Sequence, residues 1–209
     1  MLDKILIIAC GALAREIGWL KTANSWNQLS IKCIDAELHN RPKEIPNRVE
    51  TLLEQYHDQY THVFVAYADC GTGGQLDSLL DRWQVERLPG AHCYEFFATS
   101  RVFKTLSNSE PGTFYLTDFL VRHFDRLVIK GLKLDTHPQI KKMLFARYKR
   151  LTYLAQTDNP ELIAKARQAA VQLDLEFKQV ITGFGDLEAG LKTQILRFER
   201  QEQIKYEAY

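Results

Sequence analysis

Apolar and polar residues follow one another along this chain in a repeated pattern. A short apolar run, rich in β-branched residues, ends in a turn of small residues and is followed by a segment with helical period. Residues 4–9 and 62–66 are the two clearest runs, and helices are predicted after them as far as about residues 21 and 83. The pattern predicts two strand–turn–helix units.

The same pattern returns near the C-terminal end. A run at residues 150–155 precedes an Ala-rich helix at 161–173, and a run at 176–181 precedes a further helix. Residues 30–34 and 85–88 are weaker strand candidates. The segments between the two halves are predicted to be helices, at residues 112–124 and 138–148.

Strands that alternate with helices of this length imply right-handed crossovers. We therefore predict an α/β fold of the Rossmann-like, doubly wound type, with a mostly parallel sheet and helices on both faces. The chain has 209 residues, 45% of them hydrophobic, and no linker or low-complexity tract, which favours a single α/β domain over residues 1–209.

Charge and hydropathy exclude several classes of protein. The 27 basic and 26 acidic residues give a net charge of +1, so no field draws the chain to nucleic acid or to an anionic membrane. The apolar run at residues 5–9 is too short for a signal peptide, and no run approaches the roughly 20 residues of a membrane span. We expect a cytoplasmic protein that binds neither nucleic acid nor membrane.

Three of the four cysteines share one sequence context. Cys10 and Cys70 each follow a predicted strand and precede a glycine, and Cys93 follows a weaker strand and a Pro-Gly turn. Strand ends of parallel sheets are where ligands bind, and nearby helix N-termini lower thiol pKa values. Since disulfides are rare in the cytoplasm, we predict a metal site of Cys10, Cys70 and Cys93, with His92 as a fourth ligand or turned away. Cys33 is assigned to the core.

Two cofactors fit three cysteines. Zinc with His92 would be a closed, structural site, whereas zinc with solvent would be open and Lewis acidic. A [4Fe-4S] cluster with three thiolates would leave one iron open to substrate. Burial of the thiols, a thiol nucleophile and a redox pair are the alternatives to a shared metal.

Other residues at predicted strand ends are candidates for a small-molecule pocket. The glycine amides of the loop after residue 69 can wrap an anion, Arg41 can hold a substrate carboxylate, and His39 and Glu95 are the candidate catalytic groups. Asp118 is assigned to the polar stripe of an amphipathic helix. The candidate cofactor-binding set is Gly11, Gly71, Thr72, Gly73, Gly74, Arg41, Gln156 and Thr157.

Six segments, residues 8–13, 38–42, 69–74, 89–95, 113–119 and 153–157, carry a resemblance to the domain-of-unknown-function family 1638 (DUF1638). The resemblance covers most of the chain. It implies no established activity, but it implies a genomic setting beside corrinoid-dependent methyl-transfer systems. Corrinoid methyltransferase components are therefore expected as partners in one-carbon metabolism, although gene neighbourhood does not by itself identify a reaction.

The sequence thus predicts a cytoplasmic metalloprotein with a three-cysteine site, binding zinc or an iron–sulfur cluster, beside a small-molecule pocket. Two alternatives stay open. One is a non-catalytic accessory protein that carries a metal, a corrinoid or a small ligand, and the other is a metal-free enzyme with a cysteine nucleophile. Whether the protein is an enzyme is left undecided.

Overall fold

The structure, a computed structural model, describes residues 4–207, with side chains described as far as residue 204. It divides the chain into two compact units. The first unit runs to Cys93 and resumes at Leu187, and the second unit is Tyr94–Asp186. Each unit has its own parallel sheet, so each is described separately.

The first unit is built on four parallel strands in the order β2-β1-β3-β4. These are β1 (Ile5–Cys10), β2 (Leu29–Ile34), β3 (His62–Ala66) and β4 (Glu86–Arg87), with α1 (Ala14–Ala23), α2 (Ile45–Tyr56), α3 (Gln75–Trp83) and most of α8 (Gly185–Glu207). Every residue of β1 is buried. A strand buried along its whole length reads as a continuous apolar run, as residues 5–9 do.

The second unit is built on three parallel strands in the order β5-β6-β7. These are β5 (Thr113–Thr117), β6 (Arg150–Ala155) and β7 (Glu176–Ile181), with α4 (Ser100–Ser109), α5 (Asp118–Arg122), α6 (Pro138–Leu144) and α7 (Pro160–Leu173). The α7 helix begins as its sequence predicts, with Pro160 in the first turn and the Asn159 side chain accepting hydrogen bonds from the amides of Glu161 and Leu162.

The α/β Rossmann-like class is confirmed, since both units have parallel sheets flanked by helices. The single sheet expected from the sequence is replaced by two. The predicted helix at residues 112–124 is wrong over Thr113–Thr117, which form β5, because β-branched and aromatic residues favour a strand there. Cys33 was expected in the core, but it is exposed on the edge strand β2.

No helix within residues 4–207 is both long enough and apolar enough to cross a membrane.

Candidate functional site

Loops from all four strands of the first sheet bring reactive side chains to one edge. Cys10 is the last residue of β1, Tyr67 directly follows β3, and Cys70 lies in the next turn. His39 comes from the 3-10 turn after β2, and Cys93 follows β4. Because parallel strands all end at the same edge, residues far apart in sequence meet there. We call Cys10, Cys70, Cys93, His39 and Tyr67 the thiol cluster.

The three thiols of the cluster are packed out of water. Cys10, Cys70 and Cys93 are only 4%, 3% and 7% exposed. The sulfurs of Cys70 and Cys93 lie 3.2 Å apart, and the amide of Ala68 donates to the Cys93 sulfur at 3.4 Å. Such contacts are those of hydrogen-bonded thiols, which are weak donors and acceptors.

Backbone hydrogen bonds hold the Cys70 and Cys93 loops beside each other. The amide of Cys70 donates to the carbonyl of Ala91 at 2.7 Å, and the amide of Asp69 donates to that of Gly90 at 3.0 Å. Cys70 also has a left-handed backbone conformation, with φ of +48°. That region is uncommon for a residue with a Cβ, so the turn keeps a thiol where glycine would fit more easily.

The three thiols differ in pKa because they share hydrogen bonds with one another. Hydrogen bonding to Cys93 lowers the pKa of Cys70 to about 5, and His39 adds to this effect against the opposing effect of burial. Hydrogen bonding to Cys93 also lowers the pKa of Cys10. Burial raises the pKa of Cys93 well above its ordinary value. Cys93 therefore keeps its proton, and since a thiol has one hydrogen it can donate to Cys10 or to Cys70, not to both at once.

His39 and Tyr67 complete the cluster. His39 is an exposed residue, and hydrogen bonding to Cys70 raises its pKa. Tyr67 is fully buried, and its hydroxyl lies beside Cys10. That hydroxyl has no hydrogen bond of good geometry to any side chain or backbone group that the structure describes. Tyr67 was not among the predicted site residues, although its position directly after an apolar strand was an available signal.

The glycine loop is occupied by its own chain. The amides of Gly71, Gly73 and Gly74 donate to the carboxylate of Asp69, at 3.2, 3.2 and 2.9 Å, and the hydroxyl of Thr72 donates to it at 2.6 Å. These bonds, that of Thr72 foremost, lower the pKa of Asp69. An anionic ligand would have to compete with this carboxylate for the same donors.

The remaining candidates of the first unit lie elsewhere. Arg41 is exposed and pairs with Glu44 at 3.1 Å. A Cβ on Gly11 would come within 2.9 Å of the carbonyl oxygen of Ile34, so close packing of the turn against β2 explains this glycine. His92 is partly buried beside Cys93 in the chain, but the imidazole that lowers the pKa of Cys70 is that of His39.

The other candidates belong to the second unit, where Asp118 organises the end of the sheet. Its carboxylate, 1% exposed, accepts hydrogen bonds from the hydroxyls of Tyr153 and Thr157, both at 2.6 Å, and from the amide of Gln156 at 3.0 Å. The Gln156 side chain in turn accepts from the amide of Asp118 at 2.7 Å. We call these residues the Asp118 network. Gln156 and Thr157, predicted as ligand contacts, are engaged in it.

Glu95 also belongs to the second unit. It lies in a 3-10 turn and is partly buried. The assignment of Asp118 to a polar stripe on a helix surface is wrong, because its side chain is buried.

Metal geometry is not preformed among the described residues. No group of three or more His, Cys, Asp or Glu side chains there is arranged to hold a metal ion. The 3.2 Å between the Cys70 and Cys93 sulfurs suits hydrogen-bonded thiols. Two thiolates on one tetrahedral zinc, each about 2.3 Å from it, stand about 3.8 Å apart. Ligation would therefore require these sulfurs to separate by about 0.6 Å.

Comparison with known families matches residues 33–191 to the model of the protein family of unknown function DUF1638. This chain belongs to DUF1638. The match begins inside β2 and extends into α8, and it includes Cys70, Cys93 and the whole Asp118 network, whereas Cys10 precedes it. No curated protein and no solved structure matches the chain.

Proposed function

We propose that this DUF1638 protein binds one zinc ion through the thiolates of Cys10, Cys70 and Cys93 and the imidazole of His39. The observation that carries the proposal is the meeting of three buried thiols and one imidazole at a single sheet edge. Thiolate and imidazole are the ligands that zinc prefers, and three cysteines with one histidine form a common structural set.

The protonation of the cluster suits a cation. Cys10 and Cys70 both have lowered pKa values, while Cys93 holds the shared proton. Negative charge gathered in a dry pocket requires a partner, and His39 alone supplies at most one positive charge. Zinc would displace the proton from Cys93 and draw the sulfurs around itself, since metal binding to thiols releases protons.

Tyr67 supports the same ligand set from behind. Its buried hydroxyl beside Cys10 lacks a well-aligned acceptor within the described residues. A thiolate bound to zinc is a better acceptor than a thiol, and groups behind the ligands commonly orient them in this way. Tyr67 is therefore a positioning residue for Cys10 in the proposed site.

The sulfur spacing favours zinc over an iron–sulfur cluster. The thiolates of a cubane each bind a different iron atom, so they stand farther apart than two ligands of the same ion. The 3.2 Å contact between Cys70 and Cys93 is closer to the spacing on one ion. A set closed by His39 also favours a binding or accessory protein over an enzyme, while the exposure of His39 lets an incoming ligand exchange with it.

The cellular setting is a further part of the proposal. Free thiols in this number suit a reducing cytoplasm. The family resemblance supports corrinoid methyltransferase components as partners.

Zinc content and affinity test the proposal. The parent chain is purified anaerobically with reductant, its metals are measured by elemental analysis, and zinc affinity is measured against a chromophoric chelator. The ligand variants are C10S, C70S, C93S and H39A. The controls are C33S, which changes an exposed cysteine, and H92A, which removes the histidine next to Cys93.

We expect about one zinc per chain in the parent and in both controls. A structural zinc contributes about 10–16 kcal/mol over four ligands, so losing one costs about 3 kcal/mol, or about 100-fold in affinity. A parent that takes up no zinc would overturn the proposal. Brown protein rich in iron would replace zinc with a cluster, and loss of zinc in H92A but not in H39A would exchange the histidines.

The second candidate is a metal-free thiol nucleophile, favoured by the lowered pKa of Cys70 and its contact with His39. Alkylation near neutral pH with iodoacetamide, followed by peptide mapping, decides it. A nucleophilic Cys70 should react faster than the exposed Cys33 in spite of its burial, and should slow in H39A. Faster reaction of Cys33 would remove this candidate.

A further inference from the structure

Cys70 and Cys93 are placed to bond to each other as well as to a metal. Their sulfurs lie 3.2 Å apart, whereas a disulfide is about 2.05 Å long. Closing the pair needs a movement of about 1.2 Å, which rotation of two side chains can supply. The backbone bonds from Cys70 to Ala91 and from Asp69 to Gly90 already hold the two loops together, so the fold need not change.

The third thiol is less free to join the pair. Cys10 ends β1, where it is registered opposite Ile34 of β2, and its backbone is extended. Cys70 and Cys93 lie in a turn and at the start of a 3-10 turn, outside the strands. Cys33 lies on the edge strand and is exposed. Bond formation is therefore expected at the 3.2 Å contact between Cys70 and Cys93, and a bond between Cys10 and Cys93 is the competing product.

We infer that Cys70 and Cys93 form a reversible dithiol–disulfide couple whose oxidation releases the bound metal. This inference rests on the proposed zinc site for its consequence, because a disulfide between two of the four ligands leaves only Cys10 and His39. Two ligands hold zinc far more weakly than four. The sulfur pairing itself does not depend on zinc.

The oxidant is a peroxide, whose small size suits thiols that are 3% and 7% exposed. The Cys70 thiolate attacks one peroxide oxygen, an S–O bond forms, the O–O bond breaks, and the leaving oxygen takes a proton to become an alcohol or water. The Cys93 sulfur then attacks the Cys70 sulfur, so that the S–S bond forms and the S–O bond breaks, and the departing oxygen takes the Cys93 proton and leaves as water. Two thiols lose two electrons and the peroxide gains them.

Hydrogen peroxide is the probe, and zinc release and disulfide mapping are the readouts. The zinc-loaded parent is treated anaerobically with hydrogen peroxide in the presence of a zinc indicator. Trapped samples are digested and mapped without reduction. We expect one Cys70–Cys93 disulfide for each zinc released, with rebinding after dithiothreitol. C33S should behave like the parent, whereas C93S should form no disulfide and should carry its oxidation on Cys70.

Metal-free parent protein, treated in the same way, separates the two proposals. If the parent binds no zinc, the proposed function fails, yet the pairing is still judged by whether Cys70 and Cys93 become linked. If zinc binds normally but peroxide links Cys10 to either other thiol, or gives only sulfinic acids, the redox inference is overturned while the zinc site stands. Zinc release that runs ahead of the disulfide would also overturn it.

Discussion

The ends of the two parallel sheets carry polar clusters of opposite character. In the second unit, the carboxylate of Asp118 is surrounded by donors from Tyr153, Gln156 and Thr157, at 2.6 to 3.0 Å. In the first unit, the thiol cluster is joined by weak sulfur contacts, and the Tyr67 hydroxyl lacks a well-aligned partner among the described residues.

The difference lies in how fully each cluster satisfies itself. A buried carboxylate with strong hydrogen bonds to several donors fixes the loops that carry them and has little capacity left for a ligand. Soft thiols that share one proton can exchange it for a metal or for a covalent bond. The same topology thus supports the stabilising Asp118 network in one unit and a candidate site in the other.

The largest expected effect on stability comes from disrupting the Asp118 network. Asp118→Ala leaves the hydroxyl of the fully buried Tyr153 and the amide of Gln156 without their acceptor. We expect the free energy of unfolding to fall by about 4 kcal/mol, measured by urea denaturation, because a buried charge with several donors is lost. Zinc per folded chain should not change, since none of the four proposed ligands belongs to the network.

Asp125→Ala is the matched control. Asp125 is an exposed aspartate that pairs with Lys130 at 2.8 Å, with both side chains about two-thirds exposed. Its removal should change the free energy of unfolding by less than about 0.5 kcal/mol. Equal losses of unfolding free energy in D118A and D125A would show that the Asp118 network does not stabilise the second unit.

Zinc removal is the corresponding test of the thiol cluster. With free zinc at about 100 times the dissociation constant, binding stabilises the folded chain by about 3 kcal/mol. A strong chelator should therefore lower the unfolding free energy of the parent by that amount and leave C70S unchanged. A parent whose urea midpoint ignores both zinc and chelator would mean that the two sheet ends do not differ in this way.

Strands were the part of the fold most accessible to sequence. The cores of β1 and β3 are continuous apolar runs and β6 is mostly apolar, so their positions follow from local pattern, whereas β7 has Lys178 and Gln179 at its centre. Which strands pair is a long-range property, and this is why one sheet was expected where two formed. The segment containing β5 was misassigned because its apolar residues also suit a helix, and only its β-branched and aromatic content indicated otherwise.

The residues of the candidate site also divide into those that local sequence predicts and those that depend on strand order. Cys10 and Cys70 drew attention because glycine turns after strands mark the edge where ligands bind. The histidine is different: His92 adjoins Cys93 in sequence, whereas His39 interacts with Cys70 because β2, β1 and β3 are successive strands that end at the same edge of the sheet. Strand order decided this contact, and strand order could not be derived from local sequence.

The acid response of the metal-free protein tests the Cys70–His39 pair. The pKa of Cys70 is lowered to about 5, so its contribution to stability is complete above the ordinary thiol pKa of about 8.5 and is lost as pH falls through about 5. The pKa of His39 is raised, so its contribution is present below about pH 6.5 and is lost as pH rises through the raised value.

Together the two shifts predict a rise in unfolding free energy from pH 5 to about 6.5, then a nearly level region in which the two contributions oppose each other. One proton over this interval corresponds to at most about 2 kcal/mol. Urea denaturation across this range, with C70S as the control, measures it. A parent and a C70S variant with the same pH profile would contradict a thiolate at Cys70.

The smallest expected effect on stability comes from removing one hydroxyl donor of the Asp118 network. Thr157→Val keeps the volume of the side chain but removes the hydroxyl that donates to Asp118 at 2.6 Å. Because Arg122 lies 3.6 Å from the same oxygen of Asp118 and Thr157 is itself exposed, solvent and the guanidinium replace part of the lost bond. We expect a loss of about 1 kcal/mol in unfolding free energy.

Thr105→Val, at an exposed threonine that bonds only to its own helix, should cost less than about 0.5 kcal/mol. If T157V were as costly as D118A, the hydroxyl of Thr157 rather than the carboxylate would be the centre of the network.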